Sequence, residues 1–151
     1  MIGILTNEQV DKVLRDNVLG RIGCSDGNKT YIVPINYAFD GKNIIAHSTE
    51  GMKIEMMRKK PYVCFEVDDM NSFRDWKSVI AWGTFQELTD PDDQDAAMDV
   101  FVERMTHMKI SETSLPHKMA GKIGNAHVTG QIKTIIFRIL LTEKTGRFEE
   151  E

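Results

Sequence analysis

The chain has 151 residues, with 19 Lys plus Arg against 23 Asp plus Glu for a formal net charge of −4. This length supports one domain, whose folding buries roughly 69% of the unfolded surface without disulfide or metal staples. The acidic balance excludes a nonspecific nucleic-acid binder, which needs a basic field, and an apolar content of 41% excludes global disorder.

Thr6, followed by Gln9 three residues later, reads as a capping box. Val10, Val13 and Leu14 then recur at helical spacing, predicting a short amphipathic helix to about residue 17. Residues 19–24 predict a strand, Ser25-Asp26-Gly27-Asn28 a turn, and residues 31–39 a second strand. Asp40-Gly41 is a hairpin signal, with residues 43–48 as the returning strand. A short helix is predicted from Gly51 to about residue 60, stopped by Pro61, and residues 62–67 alternate as a strand. Residues 68–74 read as a polar connector, and residues 76–88 as one long strand. Asp90 and Pro91 have the chemistry of an N-cap and first helical position, with Met98, Phe101, Val102 and Met105 as the buried stripe of that helix. Residues 107–129 give no clear element; residues 131–142 predict a last long strand, and 143–151 a solvated tail.

The tally is about six strands with flanking helices and hairpin-compatible connections. This predicts a mainly β domain covering residues 1–151. Two strands exceed the usual ~5–6 residues about twofold, which suits a coiled sheet closing toward a barrel. Both are apolar on both faces, whereas a barrel interior buries only one. The other face requires a helix or a second subunit as cover. No apolar run approaches the ~18 residues of a membrane helix, so no membrane partner is expected. The N-terminus shows no export signal. Cys24 and Cys64 sit in apolar runs and read as free thiols of a reducing, cytoplasmic setting.

Three segments carry chemistry. In the first, an apolar strand ends in His47, Ser48 and Thr49, and Gly51, Met52 and Lys53 open a helix. Free N–H groups at a helix start attract anions, hydroxyls donate to them, and a lysine adds a point charge. The same pattern also serves as a plain cap with a surface lysine. In the second, Val33, Pro34, Ile35, Asn36 and Tyr37 lie in a strand that Pro34 marks as an edge or a disturbed ladder. Backbone groups freed there suit a planar heterocycle; a simple edge strand is the alternative. In the third, Ser78 shares a face with Trp76, Ile80 and Trp82, as a ligand contact or an interface stripe. His107, His117 and His127 match no zinc spacing, so no metal site is expected. The chain shows no nucleophile elbow, paired-carboxylate signature or Walker loop, so redox chemistry would require a cofactor.

In order, Leu19-Gly20-Arg21-Ile22, Val33 to Tyr37, Asp40-Gly41, His47-Ser48 with Gly51 and Lys53, Pro61 to Val67, and Ser78-Val79 with Gly83 form a set. With this set the chain resembles the pyridoxamine 5′-phosphate oxidase-like flavin-binding proteins. It is most similar to the branch that includes nitroimidazole-resistance proteins. The resemblance covers residues 19–93 and implies a six-stranded Greek-key split β-barrel, a homodimer with FMN in clefts at its interface. It implies that His47, Ser48, Met52 and Lys53 surround the FMN phosphate and ribityl chain. Val33, Pro34, Ile35, Asn36 and Tyr37 would border the ring, and Ser78 would approach, from the partner in one arrangement. It further implies an FMN-dependent oxidoreductase of a small molecule, with nitroaromatic reduction as one activity. A noncatalytic flavin or nucleotide carrier or sensor, and a haem-binding split barrel, are the alternatives. The oxidase's arginine-rich phosphate run and C-terminal arginine motif are not recognisable, and Arg138 and Arg147 do not restore them.

Overall fold

The computed structural model describes residues 1–108 and 133–151. The elements in chain order are β1 (Ile2–Ile4), α1 (Asn7–Asp16), β2 (Leu19–Ser25), β3 (Thr30–Asn36), β4 (Ala38–Phe39) and β5 (Asn43–Thr49). There follow α2 (Met52–Lys59), β6 (Tyr62–Ser72), β7 (Asp75–Glu87), α3 (Pro91–His107) and β8 (Thr134–Glu149). The capping box at α1 forms as predicted: the Gln9 N–H donates to Thr6 Oγ1 at 3.2 Å, and the Thr6 N–H donates to Gln9 Oε1 at 2.8 Å. Asp90 caps α3 by accepting the Asp92 N–H at 2.8 Å, with Pro91 opening the helix.

The strands form one antiparallel sheet in the order β3-β2-β6-β7-β8-β5-β4, with β1 added on β8. The two ends of that order, β3 and β4, are separated in the chain by Tyr37 alone. A flat seven-strand path would hold them about 29 Å apart at 4.8 Å per strand. The sheet must therefore curl until its edges meet, without hydrogen bonds between them, and this is the split barrel. Tyr37 plugs the seam: it is fully buried, its hydroxyl donates to the Leu14 carbonyl at 2.8 Å, and its ring meets Phe65 edge-on at 4.8 Å.

The inner face carries the main core, in which α1 (Val10, Val13, Leu14) and α2 (Ile54, Met56, Met57) join Ile22, Ile44, Phe65, Val79, Phe137 and Ile139. A second cluster lies on the outer face. There Phe101 and Met105 of α3 cover Ala38, Ile45 and Ile136. Thus α3 supplies part of the cover that the two-faced strands require. It leaves bare the outer face around β2, β3, β6 and β7. There Leu19, Ile32, Tyr62 and Ile80 remain 38–70% exposed.

Three predicted boundaries change, and β1 is added. The strand expected over 31–39 breaks at Tyr37, because its two halves pair with opposite edges of the sheet. The polar connector expected over 68–74 is instead the arm of a hairpin. β6 continues to Ser72, and its ladder with β7 runs to Ser72↔Asp75. The tail expected to be solvated from residue 143 is strand as far as Glu149, paired with both β7 and β1. β1 itself carried no recognised signal. The added strand segments, residues 68–72, residues 143–149 and β1, are polar or short. Pairing with a waiting neighbour satisfies the backbone whatever the side chains prefer. The long β7–β8 ladder shifts register at Trp82/Gly83, and a Cβ on Gly83 would lie 2.2 Å from the Leu140 carbonyl oxygen, so only glycine fits that approach. Residues 109–132, with His117, His127 and the expected strand start at residue 131, lie outside the described residues.

Candidate functional site

The two ladders that diverge at Tyr37 define the site. β3 leaves to pair with β2 (Asn36↔Leu19), whereas β4 pairs with β5 (Ala38↔Ile45). The split therefore opens with Val33 to Asn36 on one lip and His47 to Thr49 on the other. β3 is an edge strand, so one rim of its backbone has no ladder partner, as Pro34 suggested. Its side chains alternate. Pro34 and Asn36 share the outer face with Leu19 and Arg21 of β2, whereas Val33 and Ile35 pack on the inner core. From Val33, Ile35 and Tyr37 a ligand in the split could take backbone contacts, because their side chains are spent on the core. The Asn36 amide is also engaged, donating to the Val18 carbonyl at 3.3 Å.

On the other lip, His47 faces α3 and meets the Phe101 ring edge-on at 5.0 Å. The Ser48 hydroxyl donates to the Thr49 carbonyl at 2.9 Å. Two residues later Gly51 stands as the N-cap of α2, and no cap side chain satisfies the first-turn N–H groups. The Gly51 backbone is extended (φ 172°), and the position its Cβ would take has nothing within 4 Å. The helix start is thus open to a ligand, and strain plays no part. Lys53 stands in this first turn, half-buried. Burial holds its ammonium below the usual lysine pKa, while the nearby Cys24 thiol opposes the shift. A bound anion would relieve that desolvation directly.

Glu50 stands against an anion in the sequence, but the structure turns it away. Arg58 Nη1 and Nη2 donate to its two carboxylate oxygens at 2.9 and 2.8 Å, and Arg58 Nε donates to Glu87 at 2.8 Å. Arg58 holds the Glu50 carboxyl below its ordinary pKa, so Glu50 stays ionised but spent. Sequence reasoning missed this clasp; the basic residues in the last turn of α2 were its only signal.

A family model described as pyridoxamine 5′-phosphate oxidase matches residues 6–147. The chain belongs to this family. A crystal structure of a FAD-binding protein from Mesorhizobium loti superimposes with a TM-score of 0.78, at 28% identity, covering 100% of this chain and 98% of the other. The FAD-binding protein from Mycobacterium smegmatis superimposes with a TM-score of 0.65, at 23% identity and coverage of 97% and 100%. A candidate 5-nitroimidazole antibiotic resistance protein from Bacteroides thetaiotaomicron gives a TM-score of 0.72, at 16% identity and coverage of 98% and 87%. For the last two the likeness is one of fold. An uncharacterised protein of Rhizobium meliloti is 36% identical over 87 residues, a stretch that is 58% of each chain, so the match spans little more than half of that relative.

Within this pyridoxamine phosphate oxidase-type barrel, Ser78 is set apart from the other candidates. It lies on the outer face of β7, paired with Asp68 and Arg147. β7 is three strands from β3, about 14 Å at 4.8 Å per strand. Between them sits a charged island unnoticed in the sequence: Arg21 Nη1 donates to Asp68 Oδ1 at 2.8 Å and reaches Glu66 Oε1 at 3.5 Å. Burial and the neighbouring Asp68 raise the Glu66 pKa, and Arg21 opposes the rise. Cys24 and Cys64 are free thiols, both with pKa raised by burial. Among the described residues no His/Cys/Asp/Glu group could hold a metal ion, and no helix is long and apolar enough to cross a membrane.

Proposed function

We propose that the protein binds a flavin through its 5′-phosphate in the split between β3 and β5, and that it is a flavin-dependent oxidoreductase of a small molecule. One observation carries this reading: the lip of β5 runs into an uncapped helix start that holds a half-buried, desolvated Lys53. The donor set fits a phosphate. The first-turn N–H groups of α2 and Lys53 would hold it, the Ser48 hydroxyl would join them by turning away from the Thr49 carbonyl, and Arg58 keeps Glu50 from competing. The open rim of β3, from Val33 to Tyr37, would flank the ring.

A bound flavin supplies two-electron transfer through its ring, the part no side chain here can perform. The chain binds, orients and excludes water. His47 is fixed against Phe101, which suits it to a wall of the site rather than to a mobile acid or base. The bare outer face supports a homodimer in which a second copy covers Leu19, Ile80 and their neighbours and brings its own Ser78 toward the split. FMN is the smallest flavin that satisfies the phosphate contacts, nitroaromatic reduction is the activity tested first, and the free thiols support a reducing, cytoplasmic setting.

The test is the absorption spectrum of the purified protein, before and after added FMN, followed by anaerobic mixing with NADH or NADPH. Flavin bands that bleach support the oxidoreductase. Flavin bands that persist with every donor would leave a carrier or sensor, and a Soret band would mean haem. No saturable change with FMN sinks the reading.

A further inference from the structure

A cavity of about 180 Å³ lies on the outer face of the sheet, under one flank of α3. One wall is the helix, where Asp93, Ala96, Ala97 and Val100 recur at i, i+3, i+4 and i+7 and form a single stripe. The facing wall is the sheet, with Asp40 from the β4–β5 turn and the register partners Ile45 and Arg138. The charges in it are not spent on one another: among the described residues neither carboxylate nor Arg138 forms an ion pair. Asp40 accepts the N–H groups of Lys42 at 2.9 Å and Asn43 at 2.6 Å, and the Asn43 amide at 3.1 Å. Burial works to raise its pKa, but these bonds prevail and hold it below the ordinary carboxylate value, so Asp40 is ionised. Arg138 donates from Nε to Gln86 at 2.7 Å, which leaves its two Nη groups as a fork. Asn43 stands two residues before Ile45 on the same face of β5, and its Oδ1 is buried with no hydrogen-bond partner among the described residues.

We propose that this cavity binds a small zwitterion, an α-amino acid with a short aliphatic side chain. None of its residues belongs to the split, so the proposal stands apart from the flavin reading. The lining matches each part of such a molecule. An ammonium carries three N–H donors and no acceptor, and it suits the Asp40 and Asp93 carboxylates and the orphaned Asn43 oxygen. The Nη fork of Arg138 suits a planar carboxylate, which accepts two parallel hydrogen bonds. Ile45, Leu88, Ala97 and Val100 offer an aliphatic side chain an apolar wall. Pockets for drug-sized ligands commonly span about 300–1,000 Å³, so this smaller one suits a molecule of few heavy atoms. Two anions against one cation make the ammonium the better-held end.

The experiment is calorimetric titration of the purified protein with L-valine and with its two halves, isobutylamine, which lacks the carboxylate, and isovalerate, which lacks the ammonium. Valine is expected to bind at least about tenfold tighter than isobutylamine, with isovalerate the weakest of the three. Arg138→Gln should bring valine down to the affinity of isobutylamine and leave isobutylamine within about twofold. Asp93→Asn should weaken valine and isobutylamine alike by about tenfold, and Ala96→Trp, which fills the cavity, should abolish both. Asp93 and Ala96 are exposed positions of α3, so these two variants carry the test whether or not the Arg138 variant folds, and thermal melts confirm their fold. Valine should bind equally with and without saturating FMN. No saturable heat with valine, valine no tighter than either half, valine unchanged in Asp93→Asn or Ala96→Trp, or displacement of valine by FMN overturns the proposal. None of these results except the last involves the flavin, so failure here leaves the flavin reading to its own test.

Discussion

Replacing Lys53 by methionine should act with opposite sign on affinity and on stability. Lys53 is half-buried, and burial holds its pKa below the unfolded value. A base with a depressed folded pKa contributes stability above its unfolded pKa and loses it as pH falls through the folded one. At neutral pH the charged ammonium is therefore a burden on the apoprotein, and Lys53→Met should raise the apo melting temperature slightly. The phosphate changes the balance. A hydrogen bond to a charged group contributes about 1.5–3 kcal/mol, and 1.4 kcal/mol is tenfold in affinity, so FMN should weaken by about ten- to a hundredfold. Riboflavin lacks the phosphate and should change less than about twofold. Fluorescence titration with both ligands and apo melting curves give the two readouts. Equal losses for FMN and riboflavin, or a lower apo melting temperature, would refute the placement of Lys53 as a desolvated phosphate ligand.

Phe101→Ala empties the centre of the outer-face cluster, where Phe101 is fully buried, and should cost about 3–5 kcal/mol in urea unfolding; a loss under about 1 kcal/mol would mean that α3 covers the sheet loosely. Glu66 has a raised folded pKa, so its ionised form opposes folding. Glu66→Gln should therefore be more stable than wild type at pH 7, with the gain shrinking as pH falls through the raised pKa and gone below about pH 4.3; urea midpoints across that range check it. In sedimentation at micromolar concentration, wild type should run at twice 17.2 kDa, while Ile80→Asp should dissociate or aggregate and lose flavin with it. A wild-type monomer that still holds flavin would show that a single chain completes the site.

Local elements and their caps were legible from the residues alone. Thr6 with Gln9, and Asp90 with Pro91, each act within one turn of their own helix, so their outcome needs no distant partner. The alternation over residues 62–67, the first part of β6, was equally legible, since burial on one face writes a period of two. The order of His47, Ser48, Gly51 and Lys53 likewise announced an anion-compatible helix start, because all of its parts come from one stretch of chain. Whatever depends on distant partners was set only when the sheet closed on itself. The break at Tyr37 exists because β3 and β4 belong to opposite edges of one curled sheet, which no local pattern records. β8 runs through polar residues to Glu149 because β7 and β1 wait beside it. Glu50 was legible as a charge, but its neutralisation by Arg58, eight residues away and itself anchored by Glu87 of β7, was not. A cavity between α2 and the β2–β3 turn exists for the same reason: one wall is the stripe of Met52, Glu55, Met56 and Lys59, the other is Asp26 and Lys29, and only the folded sheet sets them face to face.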